Sequence, residues 1–270
     1  MRRHDRDRFQ TALFAPARGR ESLFALYAFN YEVARVCETV SEPVLGQIRL
    51  QWWRESIAAA FDGGPVRHHI VVEALTAVIR ACALTRAHFD RMVDAREGDL
   101  GEAPWASLAA LEEYAEATSA RLVYLALESL GIREPAANKA AFHTGIGYAL
   151  AGLLRAMPFQ ARAGRLVIPN DIAEQTRLDA NDYRALRSTP ALRAATEAIV
   201  AVAFGHLAAA RAHRRSIARS ALPALLPAIV AERSLARLKR AAYDPFDSAL
   251  AVRDAMQSWR LAIASLRGRF

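Results

Sequence analysis

The sequence predicts an all-α protein folded as a single domain. Three observations point there. Apolar residues recur at helical spacing along most of the chain, with few of the alternating runs a strand would show. Several runs meet strong breakers, such as Asp62-Gly63-Gly64-Pro65. No internal repeat or low-complexity linker divides the 270 residues, and 53% of them are apolar, enough for a sizeable core. Residues 1–270 are expected to form one helical domain, with about 1–15 and 265–270 as flexible termini.

In order, the first helix is expected over 20–40, where Leu23, Leu26, Tyr27, Val33 and Val36 fall near helical spacing and Glu21–Ser22 provide the entry. A second covers 44–61 and stops at the Gly-Gly-Pro breaker; a third spans 66–82. The fourth runs over 85–97 with Thr85 as its N-cap. Residues 107–130, SLAALEEYAEATSARLVYLALESL, read as one long helix closed by Gly131. An Ala-, Leu- and Gly-rich helix follows at 135–157, then the irregular stretch PFQARAGRLVIPNDI. Helices at 190–219, 223–240 and 247–267 complete the chain.

Net charge is +8, and all but two of the 36 basic residues are arginine. That balance suits an anionic partner, whether nucleic acid, anionic lipid or a phosphorylated small molecule. Without a binding motif or a localised basic stripe, nucleic acid is not expected. Cys37 and Cys82 offer neither a disulfide framework nor zinc spacing and are read as core thiols in a reducing compartment. His68-His69 belong to no metal motif. The start, MRRHDRDRF, has no apolar core of a secretory signal. No run approaches the roughly 18 apolar residues of a spanning helix, because ALPALLPAIVA is interrupted by Pro223 and Pro227. A cytoplasmic location is expected.

Five stretches, in order, resemble the squalene/phytoene synthase superfamily: LYAF, LQWWRESI, LEEYAEATSARLVYLALESLG, LLRAMPFQARAGRLVIPNDI and LPALLPAIVAERSL. The resemblance runs from about residue 20 to 240. It implies an isoprenoid-synthase fold around a central cavity. Active members join two prenyl diphosphates, with Mg²⁺ held by two D-x-x-x-D motifs on facing helices. Acids at i and i+4 share a helix face, and Mg²⁺ takes oxygen ligands while bridging substrate phosphates.

Carried onto this chain, the first acid pair falls at Ala34 and Glu38, and the second at Ala156 and Gln160. Position 35, a further acid in the family pattern, is Arg35. Independently of register, residues 135–170 contain neither Asp nor Glu over thirty-six positions. Their charged groups are Lys139, Arg155, Arg162 and Arg165, all cationic. No catalytic residue, metal site or cofactor is therefore expected.

Among the remaining candidates, Glu32 and Glu38 are read as ion-pair partners of Arg35 rather than as ligands. Glu42 would share a face with Glu38 if the helix continued. Arg155 and Arg165 are either a remnant phosphate grip or helix-end salt bridges to Asp171 or Glu174. Asp94, Glu97 and Asp99 read as solvated helix-end charge. Tyr27, Phe29, Tyr31, Trp52 and Trp53 read as core or cavity lining, suited to a polyprenyl chain. At 210–230 a basic segment adjoins an apolar one. It reads as core in the first instance and as an anionic-membrane contact in the second.

AFNYEVARVCETVSEPVLGQIRLQWWRESI, MVDAREGDL and the terminal QSWR are similar to the complex I (NADH dehydrogenase) assembly branch of that superfamily and its alphaproteobacterial-type relatives. That likeness implies a non-catalytic protein acting in respiratory complex I assembly. Its expected partners are complex I subunits or assembly intermediates, and a lipid or isoprenoid ligand. Its expected place is the inner face of the inner membrane, as a peripheral contact. The alternative is an active head-to-head prenyltransferase using divergent ligands, and only that reading needs Mg²⁺.

Overall fold

The computed structural model describes residues 3–40, 42–101, 103–252 and 254–270, and no strand occurs among them. The first helix is one the sequence left in a loose terminus. In α1 (Arg6–Ala12), the Asp5 side chain accepts from the Arg8 amide at 3.0 Å and Thr11 and Ala12 are buried. At the other end Phe270 is also buried, its carbonyl accepting from Arg211 Nε at 2.8 Å. Thr11, Ala12 and Phe270 are thus packed into the fold.

Helix α2 (Ala17–Ala34) buries Leu23, Leu26, Phe29 and Val33. It breaks at Arg35, short of the predicted end, and a separate turn covers Val36–Thr39. The Thr39 hydroxyl donates to the Arg35 and Val36 carbonyls, both at 3.2 Å. Such local bonding competes with helix propagation. Glu42 consequently precedes α3 (Pro43–Phe61), with no side-chain cap bond to it, and does not share a helix face with Glu38.

Helix α4 (Ile70–Cys82) begins later than predicted, because His69 caps it: His69 Nδ1 accepts from the Val71 amide at 3.3 Å. Helix α5 (Arg86–Ala95) lacks the expected side-chain cap from Thr85. Thr85 instead gives its amide and hydroxyl to Glu128, at 2.8 and 2.6 Å. A distant carboxylate thus satisfies groups that a local cap would leave for other partners.

The predicted 107–130 rod is present in three parts: α6 (Leu108–Ala115), a π turn at Glu116–Ala120, and α7 (Arg121–Ser129). Gly131, at φ +77°, closes it, and the Ile132 amide bonds the Leu127 carbonyl at 2.9 Å. The π turn lies against Gly145, where a Cβ would stand 2.2 Å from Ala120 Cα. Only glycine permits that approach.

Helix α8 (Pro135–Arg162) continues past its predicted end despite Pro158. Proline there forfeits one bond near the C-terminus, and the chain leaves the helix only at Gly164, at φ +77°. Short helices at Asn170–Thr176 and Ala180–Arg184 lie in and after the stretch predicted to be irregular. Then come α9 (Pro190–Ala212), α10 (Pro227–Arg240) and α11 (Gln257–Leu266). α8 is central, packed on α9, α10 and α7, while α2, α4 and α5 gather around α7 and α3 packs on α4 and α5.

The proline-broken run at 221–228 is core, with Ala221, Leu225 and Leu226 fully buried. Burying each leucine contributes roughly 2 kcal/mol. Among the described residues one helix, Pro190–Ser216, is long and apolar enough by composition to cross a membrane, contrary to the expectation from sequence, and it is partly buried against the rest of the fold.

Candidate functional site

Two cavities of about 390 and 370 Å³ adjoin between α2 and α8, sharing Ala34, Arg96, Tyr114 and Leu153 as walls. Ala34 and Ala156 line the first; Ala34, Glu38 and Gln160 line the second. The four positions aligned with the paired acids therefore meet in one region. Ala156 and Gln160 do so because both lie in the last two turns of α8, one turn apart.

Of the other candidates, Arg155 belongs to the first cavity and Arg165 to the second. Glu32 and Arg35 do not join them. They line a separate groove with Arg49, Trp52, Trp53 and His69, and pair with each other at 3.9 Å. Arg155 pairs with neither Asp171 nor Glu174: its Nη1 lies 2.6 Å from Asp7 Oδ2. Asp171 is spent on the Leu108 amide, at 3.0 and 3.1 Å. The acidic trio divides as well. Asp94 and Glu97 hold Arg54 at 2.7 and 2.8 Å, whereas Asp99 turns inward. Tyr27 and Phe29 are core, Trp53 is buried at the floor of the Glu32–Arg35 groove, and Tyr31 lines the first cavity. Cys37, read as a core thiol, lines the second cavity, and burial followed by Asp99 pushes its thiol up.

The shared wall is a closed polar triangle. Arg96 Nη1 donates to Asp99 Oδ2 at 3.0 Å and to Tyr114 OH at 2.5 Å, while Tyr114 OH donates to Asp99 at 2.8 Å. Burial, then Asp99, drives the Tyr114 phenol far above its ordinary range, so it stays protonated.

The α1 contribution has no local signature in the chain. Arg8 pairs with Asp5 at 3.0 Å and lies 4.7 Å from the Tyr148 ring centroid. Burial opposes its charge, yet Asp5 and Tyr148 hold it above the usual value. Burial is also the main reason Tyr148 is pushed up to about 12. Ser119, turned inward in the π turn, is 5% exposed and its hydroxyl has no hydrogen-bond partner among the described residues. A ligand in the first cavity would lie against Ser119, the Tyr148 ring and small apolar walls at Ala149 and Gly152.

The donors do not suit magnesium. Mg²⁺ requires near-octahedral oxygen ligation with carboxylates at about 2.1 Å. Of the four aligned positions only Glu38 carries a carboxylate, and Asp99 is engaged by Arg96 and Tyr114. Among the described residues no three His, Cys, Asp or Glu side chains gather as a metal set. Three cavity arginines, Arg8, Arg96 and Arg155, already face Asp5, Asp99 and Asp7. The site offers compensated charge around a partly apolar space.

The family described as Squalene/phytoene synthase matches residues 1–264. The NADH dehydrogenase (ubiquinone) complex I assembly factor 6 of Bos taurus is 31% identical over 270 residues, 100% of this chain and 81% of the relative. A presqualene diphosphate synthase of Rhodopseudomonas palustris is 26% identical over 198 residues, 72% of this chain and 69% of the relative. Among solved structures, squalene synthase HpnC from Alicyclobacillus acidocaldarius superposes with a TM-score of 0.80 at 22% identity, over 90% of this chain and 92% of that one.

Proposed function

Because the chain belongs to the squalene/phytoene synthase family, we propose that it is a non-catalytic member acting in respiratory complex I assembly, peripheral to the inner face of the inner membrane. The observation that carries the reading is the donor set at positions 34, 38, 156 and 160. They line adjoining cavities and hold one carboxylate among them. Diphosphate departure in this family's chemistry needs metal charge on the leaving group, and one carboxylate does not assemble it. The likeness to a complex I assembly factor over the whole chain supports the biological half.

What remains is a binding protein. The two cavities fall in the size range of small-ligand sites, and their tyrosine and alanine walls suit a lipid-like or isoprenoid molecule. Complex I subunits or assembly intermediates are the proposed protein partners. Deleting the gene should lower assembled NADH:quinone oxidoreductase on native gels, and unchanged levels would remove the assembly role.

The likeness to a presqualene diphosphate synthase favours a second reading, an active prenyltransferase. Purified protein incubated with farnesyl diphosphate and Mg²⁺ separates the two. Diphosphate release that Glu38→Ala abolishes would establish the enzyme and end the non-catalytic reading.

A further inference from the structure

The last helix carries an apolar stripe on its outer side. At about 100° per residue, Trp259, Ile263 and Leu266 fall within about 60° of one another, with Leu261 opposite, and Met256 precedes the helix as its N-cap residue. Leu261 is fully buried, whereas Met256, Trp259, Ile263 and Leu266 are 52%, 66%, 46% and 78% exposed. The helix rests on the protein through one side and offers its other apolar side to the surroundings.

A cationic rim adjoins the stripe. The turn after α9 packs on the end of α11: a Cβ at Gly268 would lie 3.1 Å from Arg219 Nε. Arg214, Arg215 and Arg219 on that turn, and Arg267 and Arg269 beyond the helix, are all exposed. The nearby acids are occupied elsewhere, Glu232 by Arg211 at 2.7 Å and Asp254 by Arg233 and Arg260 at 3.5 and 3.7 Å. Residues 198–231 and 255–270 contain no Asp or Glu at all. The basic and apolar halves of 210–230 thus part company: the apolar half enters the core, and the basic half joins this face.

We propose that this face seats the protein on an anionic lipid bilayer. Trp259, Ile263 and Leu266 enter the boundary between headgroups and acyl chains, as the apolar side of an interfacial helix does. The arginines of the rim bind lipid phosphates, for which the guanidinium fork is well shaped. Charge complementarity chooses lipid over a second copy of the chain. Two copies meeting here would press like-charged rims together, and each carries a net +8. The proposal deepens the peripheral-membrane part of the reading above by assigning the docking face.

Flotation of the purified protein with vesicles tests it. The protein should float with equimolar phosphatidylcholine and phosphatidylglycerol and stay behind with phosphatidylcholine alone. Tryptophan emission should shift to the blue on the anionic vesicles, and Trp259→Phe should remove that shift. Arg214→Glu with Arg215→Glu should weaken partitioning by at least about thirtyfold, the loss of two basic contacts. Leu266→Glu, at a site exposed enough to leave folding intact by circular dichroism, should abolish flotation. Absence of wild-type flotation, equal flotation on neutral vesicles, or variants that float like the parent would overturn the assignment. So would a gel-filtration dimer that Leu266→Glu splits, because the stripe would then belong to a second copy. Only protein and lipid are present, so failure here leaves the complex I measurement to stand or fall separately.

Discussion

Arg155 Nη1 lies 2.6 Å from Asp7 Oδ2, a contact spanning 148 positions of sequence. It fastens α1 over the first cavity, with Gln257 Nε2 reaching the other Asp7 oxygen at 2.8 Å. Burial by itself would raise the Asp7 carboxyl, but Arg155 and Gln257 outweigh it and hold the group below the usual range. A depressed carboxyl adds stability above its unfolded value and loses it as pH falls through the folded one. Asp7→Asn should therefore cost about 1 kcal/mol near neutrality. The two urea midpoints should converge in acid, below the ordinary carboxylate range. A constant gap at all pH values would mean the carboxylate charge is irrelevant.

The π turn sets a steric demand on α8. Alanine at Gly145 would bring its Cβ within 2.2 Å of Ala120 Cα and 2.5 Å of Ala120 N, both backbone. Gly145→Ala should destabilise by about 3 kcal/mol, the upper range for overpacking. Gly152, on the cavity wall in the same helix, has nothing within 4 Å of the same construction. Gly152→Ala should stabilise by up to about 1 kcal/mol from helix propensity. Thermal unfolding of the two variants checks the opposite signs.

Glu128 does the work that sequence reading gave to Thr85. Its side chain is 10% exposed, and it accepts from Thr85 N, Thr85 Oγ1 and Arg133 Nη1 at 2.8, 2.6 and 3.1 Å. Removing it strands an amide and a hydroxyl together. Glu128→Ala should cost about 3 kcal/mol, because an amide and a hydroxyl lose their acceptor together, and Thr85→Ala about 1 kcal/mol. Chemical denaturation gives both, and equal losses would mean that the Thr85 hydroxyl bond alone carries the contact.

A three-membered chain links α6, α9 and α8. His206 Nε2 lies 2.7 Å from Glu112 Oε1, and His206 Nδ1 lies 2.9 Å from His143 Nδ1. The carboxylate accepts, so Nε2 of neutral His206 holds the hydrogen and its Nδ1 accepts in turn from His143 Nδ1–H. Nitrogen-correlated NMR should find His143 in that tautomer. Burial, then His206 and His213, lowers the His143 value. The fold therefore binds fewer protons here than the unfolded chain, and stability should fall as pH drops from the ordinary histidine range through the folded value. His143→Gln should flatten that part of the profile.

Most of the long helices, their order and the family were legible in the sequence because they rest on local period and on motifs that sit in one stretch of chain. LYAF and LLRAMPFQARAGRLVIPNDI also fixed the positions 34, 38, 156 and 160 that the fold brings to adjoining cavities. What each charge does there was decided in three dimensions. Arg155, which reads as a phosphate grip or as a partner of Asp171 or Glu174, meets Asp7; Asp99, which reads as solvated charge, closes a triangle with Arg96 and Tyr114. Asp5, Asp7 and Arg8 sit in an opening that sequence left as a loose end, and Ser119 faces the cavity through a π turn that hydrophobic period does not reveal. Helical period records only which side of a helix is apolar. The partner of a buried ion is whichever opposite charge tertiary packing delivers within about 4 Å, where the low dielectric makes the pairing decisive.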